Sequence, residues 1–247
     1  MPTGALDENS AVAGDGFVLE EKSRDGVQLW ENGPYWAECN VGATKPEECG
    51  YYFWWGDTVG YSAKTNNAIW TEGLGWYYWE DVTWVSSKGE VMSSSPFSSS
   101  TCPTYDKTTA QLQSSGFIDS TANLVAAHDA ATAHLGAPWR MPKYADFDDL
   151  ISKCDTIRET CNGVWGWRVT GRGVYSSKSI FLPAAGYGDS YGYLGDFGSV
   201  GNYWSSSYNL YYSKSALVLD FASSYFRGNL FRRDLGISVR PVRDSAQ

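Results

Sequence analysis

The chain has 247 residues, a formal net charge of −9 and an aromatic content of 16%. This length fits one large domain or two small ones, and the abundant aromatic residues exclude a disordered chain. No Gly triplet or heptad repeat is present, which excludes collagen and a coiled coil. The acidic balance argues against nucleic acid as a partner, and no apolar run approaches the roughly 18 residues of a transmembrane segment.

The first predicted strand follows a small, polar stretch. Residues 1–26 are expected to be a flexible lead-in, without the basic and apolar regions of a signal peptide. Val27, Leu29 and Trp30 flank polar side chains and predict a strand. The Asn-Gly-Pro sequence at residues 32–34 predicts the turn that ends this strand.

The next two segments contain no helical pattern. Residues 50–84 are rich in aromatic residues and glycine, which predicts short strands and ordered loops that serve packing. Residues 86–116 are rich in Ser and Thr and contain two prolines, which is typical of an irregular surface segment.

Two helices are predicted after this segment. The first spans residues 122–135, where Asp119 and Ser120 offer N-caps and Gly136 provides a stop signal. The second spans Tyr144–Lys153 and begins just after a proline. The apolar face of this second helix consists of Phe147, Leu150 and Ile151.

The remainder of the chain is predicted to be strand and turn, which makes the whole an α+β domain. The predicted strands after residue 165 lie at 168–170, 179–183, 203–206, 216–221 and 237–242.

Neither catalysis nor a metal centre is predicted. The five cysteines form no CxxC pair, although a disulfide between Cys154 and Cys161 is compatible with an oxidising compartment. His128 and His134 lie six positions apart on a predicted helix, so their side chains point in different directions. No serine lies in a nucleophile elbow. We therefore predict no catalytic residue, no cofactor and no metal ligand, while calcium held by main-chain and scattered Asp oxygens stays open.

Several sequence blocks are more specific. They are WAECNVGA at 36–43, KPEE at 45–48, WGDT at 55–58, APWRMP at 137–142, IFLPAAG at 180–186, YWSSS at 203–207 and SVRPV at 238–242. With these blocks, residues 27–243 resemble the Fibrobacter succinogenes major paralogous domain, a family common in Bacteroidetes surface proteins.

The resemblance implies a single C-type-lectin-like domain of the formylglycine-generating-enzyme-like subtype. In that α+β fold the N- and C-terminal strands pair, two helices flank short, mostly antiparallel sheets, and a loop-rich half carries the ligand face. Within these blocks, Arg140 and Arg240 are expected to tie loops together, because the guanidinium offers a planar fork of donors. Trp139 and Trp204 are expected to be core aromatics.

The chain also resembles variable proteins diversified by retroelements, in which template adenines are randomised during reverse transcription. Such cassettes lie near the C-terminus, just before an ending similar to Ser-Val-Arg-Pro-Val. A randomised AAC codon becomes NNC, which cannot encode Lys, Glu, Gln, Met or Trp. Between Tyr208 and Leu235, only Lys214 belongs to that excluded set. An ordinary aromatic β segment would produce much of the same bias, so both explanations stay open.

A ligand-binding segment is predicted over about residues 186–235. Alternation in residues 217–222 places Leu217, Leu219 and Phe221 inward and the dissimilar residues between them outward. The flanking loops are rich in Tyr, Asn, Ser and Gly, which are typical of antibody paratopes. The predicted ligand-binding residues are Tyr187, Asp189, Tyr191, Tyr193, Leu194, Asp196, Phe197, Val200, Asn202, Tyr208, Asn209, Leu210, Tyr211, Tyr212, Val218, Asp220, Ala222, Tyr225, Asn229, Leu230, Phe231, Asp234 and Leu235.

Together, the residues and the resemblance predict a non-enzymatic receptor- or adhesin-type module that displays a hypervariable surface. The expected partner is a protein or glycan on another cell or host surface, and the expected location is extracellular, on the cell surface or on a phage particle. One alternative is a non-diversified carbohydrate-binding or structural surface domain. Another is a degenerate enzyme, against which stand the absence of any cysteine after Cys161 and the presence of only two histidines.

Overall fold

The computed structural model describes residues 25–65, 70–73, 76–79 and 82–244. The predicted lead-in therefore lies almost entirely outside the described residues, as does part of the aromatic segment. Strands predominate over short helices, which agrees with the expected α+β class. None of the helices in these ranges is long and apolar enough to cross a membrane.

The elements have the following bounds. The strands are β1 (Val27–Gln28), β2 (Tyr35–Trp36), β3 (Tyr52–Phe53), β4 (Tyr61–Thr65), β5 (Trp70–Gly73), β6 (Trp76–Trp79), β7 (Val82–Ser86), β8 (Trp139–Arg140), β9 (Asp155–Cys161), β10 (Val164–Thr170), β11 (Ser179–Pro183), β12 (Tyr187–Gly188), β13 (Leu194–Gly195), β14 (Gly201–Tyr208), β15 (Ser215–Phe221), β16 (Phe226–Arg232), β17 (Ile237–Ser238) and β18 (Val242–Arg243). The α-helices are α1 (Thr109–Ser114), α2 (Ala130–Leu135) and α3 (Tyr144–Lys153), and single 3₁₀ turns cover Ala126–His128 and Gly173–Tyr175.

The largest sheet has the strand order β16-β15-β14-β17-β3-β4-β7. A second sheet, β1-β2-β18-β8, joins the two ends of the described chain, because β18 pairs antiparallel with β2 and with β8. The other two sheets have the orders β11-β10-β9 and β12-β13-β6-β5. The pairing of early and late strands is the arrangement that the resemblance implies.

Two buried clusters cover opposite faces of β14 and β15. One cluster includes Trp55, Leu112, Ala131, Trp204 and Val218. The other includes Trp36, Phe147, Leu182, Leu219 and Phe221. Trp204 is fully buried, as expected of a core aromatic, and its Nε1 donates to the Phe53 carbonyl at 2.7 Å. The central strands of the large sheet are therefore packed on both sides.

The two predicted scaffold arginines both tie distant segments together. Arg240 is fully buried and donates to Asn40 Oδ1 at 2.8 Å and to the Phe181 carbonyl at 2.8 Å, besides two carbonyls of the residue 37–38 turn. Arg140 forms salt bridges with Asp146 at 2.7 Å and Asp244 at 2.5 Å. Both predictions are confirmed, since each guanidinium distributes its donors over elements that are far apart in sequence.

The predicted helix over residues 122–135 is wrong in its first half. The Asp119 side chain accepts from the backbone N–H groups of residues 121 and 123, and Ala122 has a φ of +62°, so this stretch is a turn. The helix begins at Ala130 because the Asp129 carboxylate caps it, accepting from Thr132 N at 2.9 Å. By contrast, the bounds of α3 are those predicted, with Phe147 and Leu150 buried.

Several elements were not predicted, among them α1, β9 and β16. Helix α1 lies in the segment expected to be irregular and is stabilised by a capping box between Thr108 and Gln111. Strand β16 occupies a stretch expected to be a loop, and β9 connects Cys154 to Cys161. All five cysteines are free thiols. The proposed disulfide is excluded because an extended strand advances roughly 3.3 Å per residue and keeps the two thiols far apart.

Candidate ligand-binding surface

The outward face predicted for β15 is buried. Val218 has no exposed surface and packs in the cluster with Trp204, and Asp220 is 2% exposed. Leu217, which was predicted to point inward, is half-exposed. The prediction is wrong because α1 and α2 contribute to the cover on one face of the strand, while α3 contributes to the cover on the other.

Other predicted residues meet around a cavity of about 340 Å³ at the edge of the large sheet. Its lining consists of Tyr187, Asp189, Ser190, Tyr191, Asp196, Phe231, Arg232, Asp234 and Leu235. All of these were predicted as ligand-binding except Ser190 and Arg232, which lie between predicted positions in the sequence. The cavity thus collects side chains from two segments that are about 40 residues apart in the chain.

A glycine pair brings these two segments together. Gly188 and Gly236 form an antiparallel bridge with reciprocal N–H···O bonds of 2.8 and 2.9 Å. The fully buried ring of Phe97 packs directly against both glycines, so a Cβ at either position would collide with it. Glycine is therefore required here for the close approach of backbone to ring. Phe97 lies in the segment predicted to be irregular, and it supports the cavity from behind.

A polar cluster continues from this cavity along the same sheet. The Asp220 carboxylate accepts from Asn229 Nδ2 at 2.8 Å and from the Tyr225 hydroxyl at 3.5 Å, and Arg227 Nε lies 3.9 Å away. Burial raises the pKa of Asp220, while Asn229 and Arg227 act in the opposite direction. Asn202 is paired with Asp220 across the strands and is fully buried, yet neither its amide nitrogen nor its amide oxygen has a partner in the described part of the chain.

The most exposed predicted residues lie on the loop between β14 and β15. Leu210, Tyr211 and Tyr212 are all exposed, Tyr211 by 87%. The loop has a defined conformation, because Asn209 Oδ1 accepts from the backbone N–H groups of Tyr211 at 2.8 Å and Tyr212 at 3.0 Å. The fixed backbone of the loop therefore presents these three side chains to solvent, and they do not pack on a buried cluster.

Tyr105 connects this loop with the cavity. Its ring centroid lies 5.7 Å from Lys214 Nζ, at the end of the loop, and 5.6 Å from the Arg232 guanidinium, in the cavity lining. Both distances are within the range of cation–π contacts. Tyr105 was not predicted, because it lies in the Ser/Thr-rich segment, where no sequence pattern indicates that one aromatic residue belongs to a site.

The remaining predicted residues have unequal exposure. The buried ones are Leu194, Asp196, Asn202, Tyr208, Val218, Asp220 and Asp234. The half-buried ones are Tyr187, Asp189, Tyr193, Phe197, Val200, Asn209, Ala222, Tyr225, Asn229, Leu230, Phe231 and Leu235. Leu194 and Phe197 face away from the first cavity and line a second one of about 390 Å³, together with Cys49 and Tyr52. Tyr208 packs on Trp55 in the core and does not belong to the surface.

The two histidines serve packing. His128 stacks on Phe117 with ring centroids 3.8 Å apart, and His134 Nε2 lies 3.1 Å from the Thr58 carbonyl oxygen. Burial lowers the pKa of both imidazoles. Within the described ranges, no group of three or more His, Cys, Asp or Glu residues is arranged to hold a metal ion.

Neither a protein-family model, nor a curated protein, nor a solved structure matches this chain.

Proposed function

We propose that this chain is a non-enzymatic ligand-binding module with a C-type-lectin-like fold. Its ligand-binding surface comprises the cavity between residues 187–196 and 231–235, the adjoining polar cluster of Asp220, and the exposed loop 209–212. These three parts together are called the binding surface below. In this proposal the chain acts at a cell surface or on a phage particle, and its variable residues arise by retroelement diversification.

One observation carries the proposal. Residues predicted from the paratope-like composition of two segments about 40 residues apart line a single cavity, and a loop of exposed aromatic residues lies beside it. A cavity of this size falls within the roughly 300–1,000 Å³ typical of ligand sites. Rigid aromatic side chains on a packed sheet lose little conformational entropy when they bind.

A binding screen tests the proposal. The purified domain is presented to arrays of surface proteins and glycans, and each hit is measured again with Tyr191→Ala and Tyr211→Ala. Anchor residues of an interface typically cost about 2 kcal/mol or more on truncation, so affinity is expected to fall by a factor of about 30. Val174→Ala is the control, because Val174 is 91% exposed but lies in a 3₁₀ turn outside the binding surface.

The control and the nucleotide sequence separate the alternatives. Hits that lose affinity with Val174→Ala but not with Tyr191→Ala or Tyr211→Ala would contradict the proposed surface. Diversification predicts a near-repeat of the coding region for residues 186–235 close by, differing at adenines, with a reverse transcriptase gene beside it. Without such a repeat, a non-diversified surface domain would be the better interpretation.

A further inference from the structure

The described lining of the cavity in the binding surface has more acidic than basic side chains. It includes three carboxylates, Asp189, Asp196 and Asp234, and one guanidinium, Arg232. Arg232 is already paired, since its Nε and Nη2 donate to the two carboxylate oxygens of Asp234 at 3.0 and 2.6 Å. Among the described residues, no Lys, Arg or His forms a salt bridge with Asp189.

The backbone fixes the Asp189 carboxylate through one of its two oxygens, Oδ1. Its Oδ1 accepts from the backbone N–H groups of Tyr191 at 2.9 Å and Tyr193 at 3.0 Å, which fixes the carboxylate at the cavity wall. No side chain in the part of the chain that the structure describes donates a hydrogen bond to its Oδ2. Burial raises the pKa of Asp189, while the backbone N–H groups of Tyr193, Tyr191 and Gly192 act in the opposite direction. A carboxylate in this position gains stability from a cationic ligand.

Aromatic rings flank this carboxylate. Tyr187 and Phe231 pack against each other with centroids 6.3 Å apart, and both line the cavity. Tyr191 is 80% exposed at the cavity mouth and stacks on Tyr193 at 6.0 Å. Aromatic faces attract Lys and Arg side chains, and the attraction strengthens as the cation is desolvated.

From this geometry we propose that the cavity binds a Lys or Arg side chain of a protein partner. The cationic group donates to Asp189 Oδ2, and its aliphatic stem packs between the rings of Tyr187, Tyr191 and Phe231. This inference rests on the proposed function and narrows it, because it commits the partner to a protein segment with a basic residue. Charge complementarity favours this occupant over a neutral glycan.

The first test uses small probes. Nα-acetyl-arginine amide and Nα-acetyl-lysine amide are titrated into the ¹⁵N-labelled domain, with Nα-acetyl-norleucine amide as the uncharged match. We expect the two cationic probes to shift the amide signals of Tyr191 and Phe231, and the norleucine probe to leave them unchanged. Binding is expected to weaken as NaCl is raised, because salt screens the attraction.

Asp189→Asn is the decisive variant. Asparagine keeps the Oδ1 acceptor that fixes the loop and replaces Oδ2 by an uncharged amide nitrogen, which donates and does not accept. We expect roughly tenfold weaker binding of the cationic probes, as for loss of a hydrogen bond to a charged group. Asp148→Asn is the matched control, because Asp148 is an exposed carboxylate on α3 outside the cavity. Unchanged thermal stability of Asp189→Asn shows that the loop is intact.

The outcomes distinguish this inference from the proposed function. The inference would be overturned by equal binding of the norleucine probe, or by the absence of any signal shift with any probe. It would also be overturned by a methyl glycoside that binds better than the cationic probes, or by an Asp189→Asn variant that binds them as the wild type does. Partners from the binding screen can lose affinity with Tyr191→Ala and yet tolerate both Asp189→Asn and high salt. That result would support the proposed binding surface and contradict only the inference that the partner inserts a basic side chain. If the partners tolerate Tyr191→Ala, Tyr211→Ala and Asp189→Asn, both proposals fail.

Discussion

Residues 209–212 and residues 216–222 are separated in the chain only by residues 213–215, and both contain several large apolar side chains. The first stretch is an exposed loop, whereas the second is a strand buried on both faces. The difference arises from what lies on either side of each stretch, since β15 pairs with both β14 and β16 while the loop pairs with nothing regular. Composition therefore identifies this region as a candidate ligand-binding segment, but it does not show which of its residues a ligand can reach.

The largest effect that separates the two stretches is loss of a core aromatic. Trp204→Ala or Phe221→Ala is expected to lower the free energy of unfolding by about 3–5 kcal/mol, because each leaves a cavity in a packed cluster. Tyr211→Ala is expected to change it by less than about 0.5 kcal/mol, because an exposed side chain covers no core. Urea titration measures all three, and similar losses in both groups would contradict the assignment of loop and core.

A smaller effect tests the corrected face of β15. Val218→Thr places a hydroxyl of nearly equal size in a fully buried position and is expected to cost about 1–3 kcal/mol. Leu210→Thr on the loop is the exposed counterpart and is expected to stay within about 0.5 kcal/mol. Chemical denaturation of the two variants compares them directly. A neutral Val218→Thr would restore the original prediction that this face is displayed.

Asn202 is expected to respond in the opposite direction. Replacing a buried amide that has no hydrogen-bond partner by an apolar side chain removes its desolvation cost, so Asn202→Leu is expected to stabilise the fold by about 1 kcal/mol. The melting temperature should rise accordingly. Asn229→Leu is the control, because its amide donates to Asp220 and its loss is expected to be destabilising. A destabilised Asn202→Leu would show that the amide is satisfied in solution.

The smallest effect concerns pH. Burial lowers the pKa of His134 below its ordinary value of 6.5, so the unfolded chain binds more protons than the folded chain between the two values. His134 therefore costs stability as the pH falls through about 6.5. We expect His134→Gln to lose less stability than the wild type between about pH 7.5 and pH 5, measured by urea titration at each pH. An unchanged pH dependence would contradict burial of this imidazole.

How far the sequence predicted the fold depended on whether local signals agreed with the packing. Helix α3 was predicted with the bounds that it has in the structure, because its apolar face and its start signal are both local. Strand β16 was missed because Gly228 and Asn229 interrupt its pattern. The structure explains Gly228 by the Tyr144 side chain, which packs directly against that backbone. No sequence feature near Gly228 indicates that a tyrosine from a helix more than 80 residues away packs against it.

The candidate site shows the same limit. Tyr191 and Phe231 were predicted from composition, but their meeting at one cavity depends on the Gly188–Gly236 bridge and on Phe97 behind it. Those contacts are long-range, and single-sequence patterns carry no information about them. Val218 and Asp220 were wrongly predicted as displayed because alternation identifies two faces of a strand but not whether a second layer covers the outer one.

The placement of β17 and β18 has a consequence for how such a protein tolerates genetic change. Both strands follow the proposed variable segment, and both are interior, with β17 between β14 and β3 and β18 between β2 and β8. A frameshift or stop codon within residues 186–235 removes both, which opens two sheets along hydrogen-bonded edges and leaves truncated chains unable to complete their core. We expect cellular proteases to degrade such truncated products. Substitutions within the segment leave β17 and β18 in place, so only variants with an intact reading frame yield a folded protein.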